Sequence, residues 1–411
     1  MKKRKKILII GLNFYPENVG IGKYTSELAL ELCKNSYDIR VICSNPYYPH
    51  WKVKKNYYSF KSLNKFLKVF RCPIWVPKKI NGLSRVFHLL SFFITSFPVI
   101  LYQYFWKPNI LITTVPSFFT TQSSLALAAL LNKKTLKLVH YQDLEIDAAF
   151  KLNFIKSKLL INFMYRLEKA TLSKFDYVSS ISEGMINQLK NKSIKNEKIY
   201  YLPNWVDTSK IFPLSKKYIN PFKKELNIPE DKIIFMYSGS MNKKQGIEIL
   251  IELALHKFKN SNIFWVFGGE GSSKRILEEK LLNSENVRLC SLQPEERMND
   301  WLNLADIHLI PQKIEATDLV LPSKLITILA SGKPFICTAP KFSEIFKIAQ
   351  KTGLTVEPGN FDSFKESIEL ISKDDKLRIQ LGQNARKLAL KNYDKKIILS
   401  KFCKDLINFS S

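Results

Sequence analysis

Asp318–Pro334, DLVLPSKLITILASGKP, sets a loop, a Pro-Ser-Lys helix start and a Gly-Lys-Pro helix stop in succession. It follows Ile307–Pro311, an apolar run preceded by Ala305-Asp306, which reads as a short buried strand. Ligands of open α/β sheets bind in loops at the carboxyl ends of strands. Pro322 suits the first turn of a helix, Ser323 can cap it, and Lys324 adds charge where free backbone N–H groups already favour an anion. The helix runs through LITILA to Gly332, and another buried strand is expected at Pro334–Thr338. The stretch reads as strand, phosphate-holding turn, helix and strand. An ordinary helix entry in an α/β domain has the same outline.

Working back from it, the chain from Lys232 alternates strand IIFMYSG, helix IEILIELALHKF, strand IFWVFG, helix SKRILEEKLL, strand VRLCSL, helix MNDWLNLA and strand IHLIPQ. The amino half alternates in the same way, with strands at Lys5–Ile10, Asp38–Cys43, Val69–Arg71, Asn109–Thr114, Leu136–Tyr141, Tyr177–Ser180 and Ile199–Tyr201. Such βαβ alternation predicts parallel sheets covered by helices, so the expected class is α/β with two doubly wound, Rossmann-like domains facing a cleft. The expected boundaries are 1–205, 206–390 and a terminal helix 391–411 packing back on the first domain. A linker is expected between Asn204 and Lys232, where Pro203, Pro213, Pro221 and Pro229 interrupt any period.

With 45% hydrophobic and 12% aromatic residues in 411, the chain is globular and long enough for two cores. Six cysteines without CxxC pairs argue against a disulfide framework or zinc and fit a reducing cytoplasm. MKKRKKILIIG has too short an apolar part for a signal peptide and reads as the first strand. The formal charge of +28 calls for an anionic partner. No nucleic-acid module or Arg-rich stripe is visible, so nucleic acid is disfavoured and an anionic membrane surface preferred. Residues 86–106, VFHLLSFFITSFPVILYQYFW, approach the ~20 apolar residues that span a bilayer. The elements on either side belong to one sheet and so to one side of any membrane. The segment therefore reads as a helix partly in the core and partly dipping into lipid, with Lys78, Lys79, Arg85 and Lys107 at headgroups. Peripheral attachment to the inner face of the plasma membrane is the expectation.

The first βα turn, GLNFYPENVGIGKYTSEL, lacks GxGxxG, which disfavours a nicotinamide or flavin enzyme. Gly20 and Gly22 there allow close backbone approach by a donor phosphate. In the second domain Gly239 ends a strand and SMNKKQG, with Lys243 and Lys244, leads into a helix, so a diphosphate is expected to sit between that turn and Ser323/Lys324. Gly268 and Gly269, at the tip of IFWVFG, are expected beside the donor nucleotide. HYQDLEID places His140 and the acceptors Gln142, Asp143, Glu145 and Asp147 at a strand end, suited to sugar hydroxyls and general-base work, with Asp143 preferred over His140. Asn204 and Trp205 either line the cleft or fill it. No acidic triplet of metal-ligand character appears, so neither a metal nor another cofactor is expected.

The ordered set PE-x-x-GIGKYT (Pro16–Thr25), HYQD (His140–Asp143), PNW-x-D (Pro203–Asp207), SG-x5-QG (Ser238–Gly246) and LPSK-x7-GKP (Leu321–Pro334) resembles the family 4 glycosyltransferases of the two-Rossmann GT-B fold. The GIGKYT, PYYP, RCP, WKP and LPSKL segments are similar to the branch that builds colanic-acid-like exopolysaccharides. The resemblance implies a retaining enzyme that takes a sugar, fucose or a related one, from a GDP- or UDP-linked nucleotide diphosphate sugar bound by 206–390 and adds it to a lipid-linked saccharide acceptor bound by 1–205. It also puts Leu319 and Thr327 where many members carry two glutamates. Asp318 or Glu315 then replaces the first as a catalytic carboxylate, and Thr327 offers a hydroxyl to the ribose. Ser240 and Gln245 stand where an Arg and a Lys often neutralise the diphosphate, leaving Lys244 and Lys324 as substitutes. A nucleotide-sugar 2-epimerase shares this architecture but needs no lipid-facing segment.

Overall fold

The structure is a computed structural model, describing residues 4–53, 60–79, 82–131, 134–144, 158–192, 194–215, 217–242, 245–259, 262–313 and 321–409. The chain divides into unit 1, Met1–Pro203 with Leu399–Ser411, and unit 2, Asn204–Ile398.

Unit 1 is built on eight strands: β1 (Lys6–Ile10), β2 (Asp38–Ser44), β3 (Phe60–Asn64), β4 (Leu67–Cys72), β5 (Ile110–Val115), β6 (Leu136–Tyr141), β7 (Tyr177–Ser180) and β8 (Ile199–Tyr201). They lie in the order β3-β4-β2-β1-β5-β6-β7-β8, all parallel except β3, which pairs antiparallel with β4. The central strands are continuous apolar runs because helices cover both faces. β5 is buried at every position. The chain leaves β1 in one direction through β2 and returns on the other side through β5, so the strand order reverses between β1 and β5. The edge strand β3, FKSLN, is almost wholly exposed and has no apolar alternation, which is why the sequence gives no sign of it. At the other edge Tyr200 Oη donates to Asp405 Oδ2 at 2.7 Å, and Tyr177 stacks on Phe409 with ring centres 3.9 Å apart.

The apolar segment forms one helix, Gly82–Tyr102, with Pro98 inside it. His88, Leu89, Phe92, Ser96 and Ile100 are buried at the i, i+3/i+4 spacing of a single face. They pack toward β2, β4 and the helix Phe118–Leu130. Leu83, Phe87 and Ile94, on the opposite face, are 68%, 53% and 61% exposed. Gly82–Phe105 is long and apolar enough to cross a membrane by length and composition, and a third of it is buried. Its neighbours β4 and β5 belong to the same sheet, which holds both its ends on one side.

Unit 2 contains β9 (Ile233–Ser238), β10 (Ile263–Gly268), β11 (Val287–Cys290), β12 (Ile307–Ile310), β13 (Phe335–Thr338) and β14 (Gly353–Val356), parallel in the order β11-β10-β9-β12-β13-β14. The order reverses between β9 and β12. A core of Phe235, Tyr237, Trp265, Phe267, Leu277 and Phe364 fills one face of this sheet. The proline-punctuated stretch read as a linker is instead bound to unit 2. Side-chain amides of the helix Met298–Leu304 accept from its backbone, Phe212 N to Asn299 Oδ1 at 2.9 Å and Leu214 N to Asn303 Oδ1 at 3.1 Å. Extended chain without a period is thus satisfied by side chains rather than by a ladder.

Candidate active site

In unit 1 the carboxyl ends of β1 and β5 and the loop after β2 enclose a cavity of about 250 Å³. Leu12 and Asn13 come from the end of β1, Pro116 from the end of β5 and Asp143 from the turn after β6. This is the strand-order reversal where doubly wound sheets bind ligands. Tyr47, Tyr48 and Trp51 form one wall, and Arg85, His88 and Leu89 of the Gly82–Tyr102 helix form another.

A buried carboxylate ties these walls together. Glu17, 4% exposed, accepts at Oε1 from the backbone N–H groups of Tyr47 and Tyr48, both at 2.8 Å, and at Oε2 from Asn13 Nδ2 at 2.9 Å. Burial raises its pKa, and those hydrogen bonds together with the nearby Arg71 charge oppose the rise. Arg71 in turn donates to Ser44 O at 3.1 Å and to Tyr15 O. Gly22 is glycine because a Cβ there would come within 2.7 Å of Glu17 O, so its role is packing. Gly20, with φ +57, opens the helix Gly20–Lys34 and lines the cavity.

Asp143 lines the cavity, whereas His140 does not reach it. His140 is 2% exposed, with Nδ1 2.8 Å from Ser179 Oγ and Nε2 2.8 Å from Gln142 Nε2. Burial pulls its pKa down to about 4, so the ring is neutral at pH 7. The histidine of HYQD is held by its neighbours. Glu145 and Asp147 lie outside the described residues.

In unit 2, Gly239 (φ +140) follows β9, and the side chain of Lys324 passes over it, within 3.7 Å of where a Cβ would stand. Lys324 Nζ lies 3.8 Å from the Tyr237 ring centre, is sealed from solvent and has no hydrogen-bond partner among the described residues. The residue as a whole is half-buried, yet its charged end is enclosed, and desolvation lowers its pKa to about 7. Ser323 is not the cap: the helix Ser323–Ser331 starts at Ser323 itself, Pro322 occupies the N-cap without a side-chain bond, and Ser323 is exposed. Among the described residues no side chain caps that terminus, which lies one reach of a side chain from Gly239. Thr327 is half-buried, and its hydroxyl donates to Lys324 O at 2.8 Å.

Packing alone requires glycine at both Gly268 and Gly269. A Cβ on Gly268 would collide with the Trp301 ring, and one on Gly269 with the Gly239 carbonyl oxygen. Trp205 is buried at 1% exposure, and Asn204 Oδ1 is enclosed with no hydrogen-bond partner among the described residues. Lys243, Lys244, Glu315 and Asp318 lie outside the described residues. Glu17, Tyr47, Tyr48, Trp51, Arg85 and His88 were not singled out from sequence as site residues, although PE-x-x-GIG and PYYP contain three of them. Among the described residues no group of three or more His, Cys, Asp or Glu gathers as a metal site would require.

A family model described as Glycosyltransferase Family 4 matches residues 19–210, and one described as Glycosyl transferases group 1 matches residues 219–388. The chain is 32% identical, over 98% of its length and 99% of the relative's, to a protein of Escherichia coli (strain K12) named as a colanic acid biosynthesis glycosyl transferase, WcaI. It is 26% identical, over 63% of this chain and 66% of the other, to the N,N'-diacetylbacillosaminyl-diphospho-undecaprenol α-1,3-N-acetylgalactosaminyltransferase of Campylobacter jejuni. Among solved structures, Anabaena HepE in complex with UDP and glucose superposes with a TM-score of 0.69 at 11% identity, covering 98% of this chain and 100% of that one. Sequence relatives, family models and the two parallel-sheet units agree: the chain belongs to the family 4 glycosyltransferases and has the GT-B type of fold.

Proposed function

We propose that this enzyme is a retaining glycosyltransferase that moves a sugar, fucose or a related one, from a GDP- or UDP-linked donor to a lipid-linked saccharide in exopolysaccharide, capsule or O-antigen biosynthesis. The observation that carries the donor half is Lys324. An ammonium enclosed without an acceptor is costly, and a diphosphate beside Gly239 supplies the missing negative charge. The N–H groups at the start of the helix Ser323–Ser331 favour the same anion. Catalysis then rests on electrostatic stabilisation of the departing diphosphate, with no enzyme nucleophile and no metal. The bond from the sugar's anomeric carbon to phosphate breaks, the acceptor oxygen bonds to that carbon on the same face, and the acceptor's proton passes to the leaving phosphate oxygen. Asp143 orients the acceptor hydroxyl, while His140, neutral and engaged by Ser179 and Gln142, fixes the turn that carries it.

The acceptor's lipid accounts for the exposed apolar face of Gly82–Tyr102. That face, with Lys78, Lys79, Arg85 and Lys107 nearby in sequence, suits peripheral attachment to an anionic bilayer, where each basic side chain contributes about 1 kcal/mol. Labelled UDP- and GDP-sugars incubated with the purified enzyme and bacterial lipid-linked acceptors test the reading. Label should enter the lipid phase with one donor and keep its anomeric configuration. Release of free sugar only, or no turnover with any donor, would overturn it.

A further inference from the structure

We infer that unit 1 carries a small-molecule site at the amino ends of its strands that holds a nucleoside monophosphate, with the phosphate on Asn109, Lys134 and Thr135 and the base against Tyr177 and Phe409. It lies at the opposite edge of the sheet from the cavity described above and does not depend on the reading of the enzyme's donor.

Three observations point to such a ligand. First, a cavity of about 530 Å³ is lined by Asn109, Thr135, Asp176 and Lys198, which stand immediately before β5, β6, β7 and β8. Its volume lies within the ~300–1,000 Å³ of sites for organic ligands, and an inorganic phosphate would leave most of it empty. β5 and β6 are six residues long, so roughly 20 Å of strand separates this edge from the carboxyl-end cavity. The two can be filled at once.

Second, the groups left open on its wall are donors. Asn109 Oδ1 accepts from Lys6 N at 2.9 Å, which leaves the two Nδ2 hydrogens without a partner among the described residues. Thr135 is 4% exposed, and its Oγ1 has no partner among them either. Lys134 is exposed and makes no ion pair among the described residues. The carboxylates nearby are already engaged. Asp176 Oδ2 accepts from Lys137 N at 2.8 Å and its Oδ1 from Lys137 Nζ at 3.3 Å, while Glu197 lies 3.7 Å from Lys195. Lys198 gives hydrogens to Ser173 O and Phe175 O, both at 2.9 Å, and keeps a third. With Lys5, Lys134, Lys137 and Lys198 set against only Asp176 and Glu197, the lining matches an anion that brings several oxygen acceptors. A neutral sugar leaves that charge unanswered.

Third, another part of the wall is aromatic. Tyr177 and Phe409 stack with planes 22° from parallel, and the Tyr200 ring meets Phe409 edge-on, with centres 5.3 Å apart. Tyr177 and Phe409 both line the cavity, and a planar base extends such a stack. Phe409 ends the helix Lys395–Phe409, so a bound nucleotide would fasten that helix to the starts of β6 and β7.

The test is calorimetric titration of the full chain, as wild type and as Lys324→Met, with UMP, GMP, AMP and CMP, and with inorganic phosphate and the parent nucleosides beside them. In Lys324→Met at least one monophosphate should bind one per chain and raise the melting temperature. Its affinity should fall at least tenfold in Asn109→Asp, which keeps an acceptor for Lys6 N but turns a carboxylate on the phosphate, and several-fold in Thr135→Val and in Phe409→Leu. Inorganic phosphate and the nucleoside should each bind at least tenfold more weakly than the monophosphate. Absence of binding by every monophosphate, or binding that Asn109→Asp and Thr135→Val both leave unchanged, overturns the site. Phosphate that binds as tightly overturns the contact with the base, and a nucleoside that binds as tightly overturns the contact with the phosphate. If Asn109→Asp does not fold, Thr135→Val and Phe409→Leu decide. UDP or GDP binding that Lys324→Met leaves unchanged counts against the donor reading and leaves this site to its own variants.

Discussion

The Nζ of Lys324 stands 3.8 Å from the centre of the Tyr237 ring, enclosed and with no oxygen to accept from it among the described residues. A ring face offsets only part of the lost hydration of an ammonium. The lysine is therefore held in a state that costs stability, a cost that the proposed donor diphosphate would offset.

Replacing Lys324 should separate stability from activity. Lys324→Met keeps most of the volume and removes the enclosed charge, so its melting temperature should equal or exceed that of the wild type. Turnover should fall by more than tenfold and nucleotide binding should weaken. Calorimetric unfolding beside a transfer assay checks both, and unchanged turnover would remove Lys324 from the donor site.

With Lys324 on the donor diphosphate as proposed, its depressed pKa gives donor binding a pH dependence. In the free protein the group loses its proton near pH 7, and a bound diphosphate pulls the pKa back up. Binding therefore takes up a proton above pH 7, and UDP or GDP affinity should fall by up to about tenfold per pH unit between 7 and 9. Titrations in two buffers of different ionisation enthalpy measure that uptake directly. In Lys324→Met the uptake should disappear.

Acid should weaken the fold through two buried histidines. His140 and His308 are held neutral by burial, with pKa values lowered to about 4 and about 3 from 6.5. Between pH 6.5 and 4 the unfolded chain binds protons that the folded chain refuses, so stability is present above 6.5 and is lost as pH falls. The loss approaches on the order of 3 kcal/mol per histidine at pH 4. Denaturant melts at pH 7, 5.5 and 4.5 should show it, and His308→Leu should flatten the slope.

Gly269→Ala should damage the fold before it touches any ligand. Its Cβ would collide with the Gly239 carbonyl at φ +153, a cost on the order of 2–4 kcal/mol. Urea unfolding reads this. A variant of wild-type stability that has lost only nucleotide affinity would show instead that the position acts through the ligand.

Serine at Phe87 and Ile94 together should reduce flotation with vesicles rich in anionic lipid by several-fold, because both side chains are more than half exposed and contribute little to the core. The melting temperature should stay within about 2 °C of the wild type. Binding that is indifferent both to these changes and to salt would argue against peripheral attachment.

The strands at Leu136–Tyr141, Tyr177–Ser180 and Ile199–Tyr201 occupy the residues that their apolar runs predict, and the Pro-Ser-Lys turn does open a helix beside Gly239. Periods of two and of 3.6 residues are local properties, so the alternation, the α/β class and the basic turn of unit 2 were legible in the chain alone. The destinations of side chains were not. Glu17 meets Tyr47 and Tyr48 across about thirty residues, His140 meets Ser179 across 39, and Gly268 and Gly269 are explained only by Trp301 and Gly239. The edge strand Phe60–Asn64 formed without an apolar signal because its ladder with Leu67–Cys72 supplies the order. Local pattern set which elements form, whereas burial of each polar group was decided by partners that only the folded sheet brings within hydrogen-bond reach.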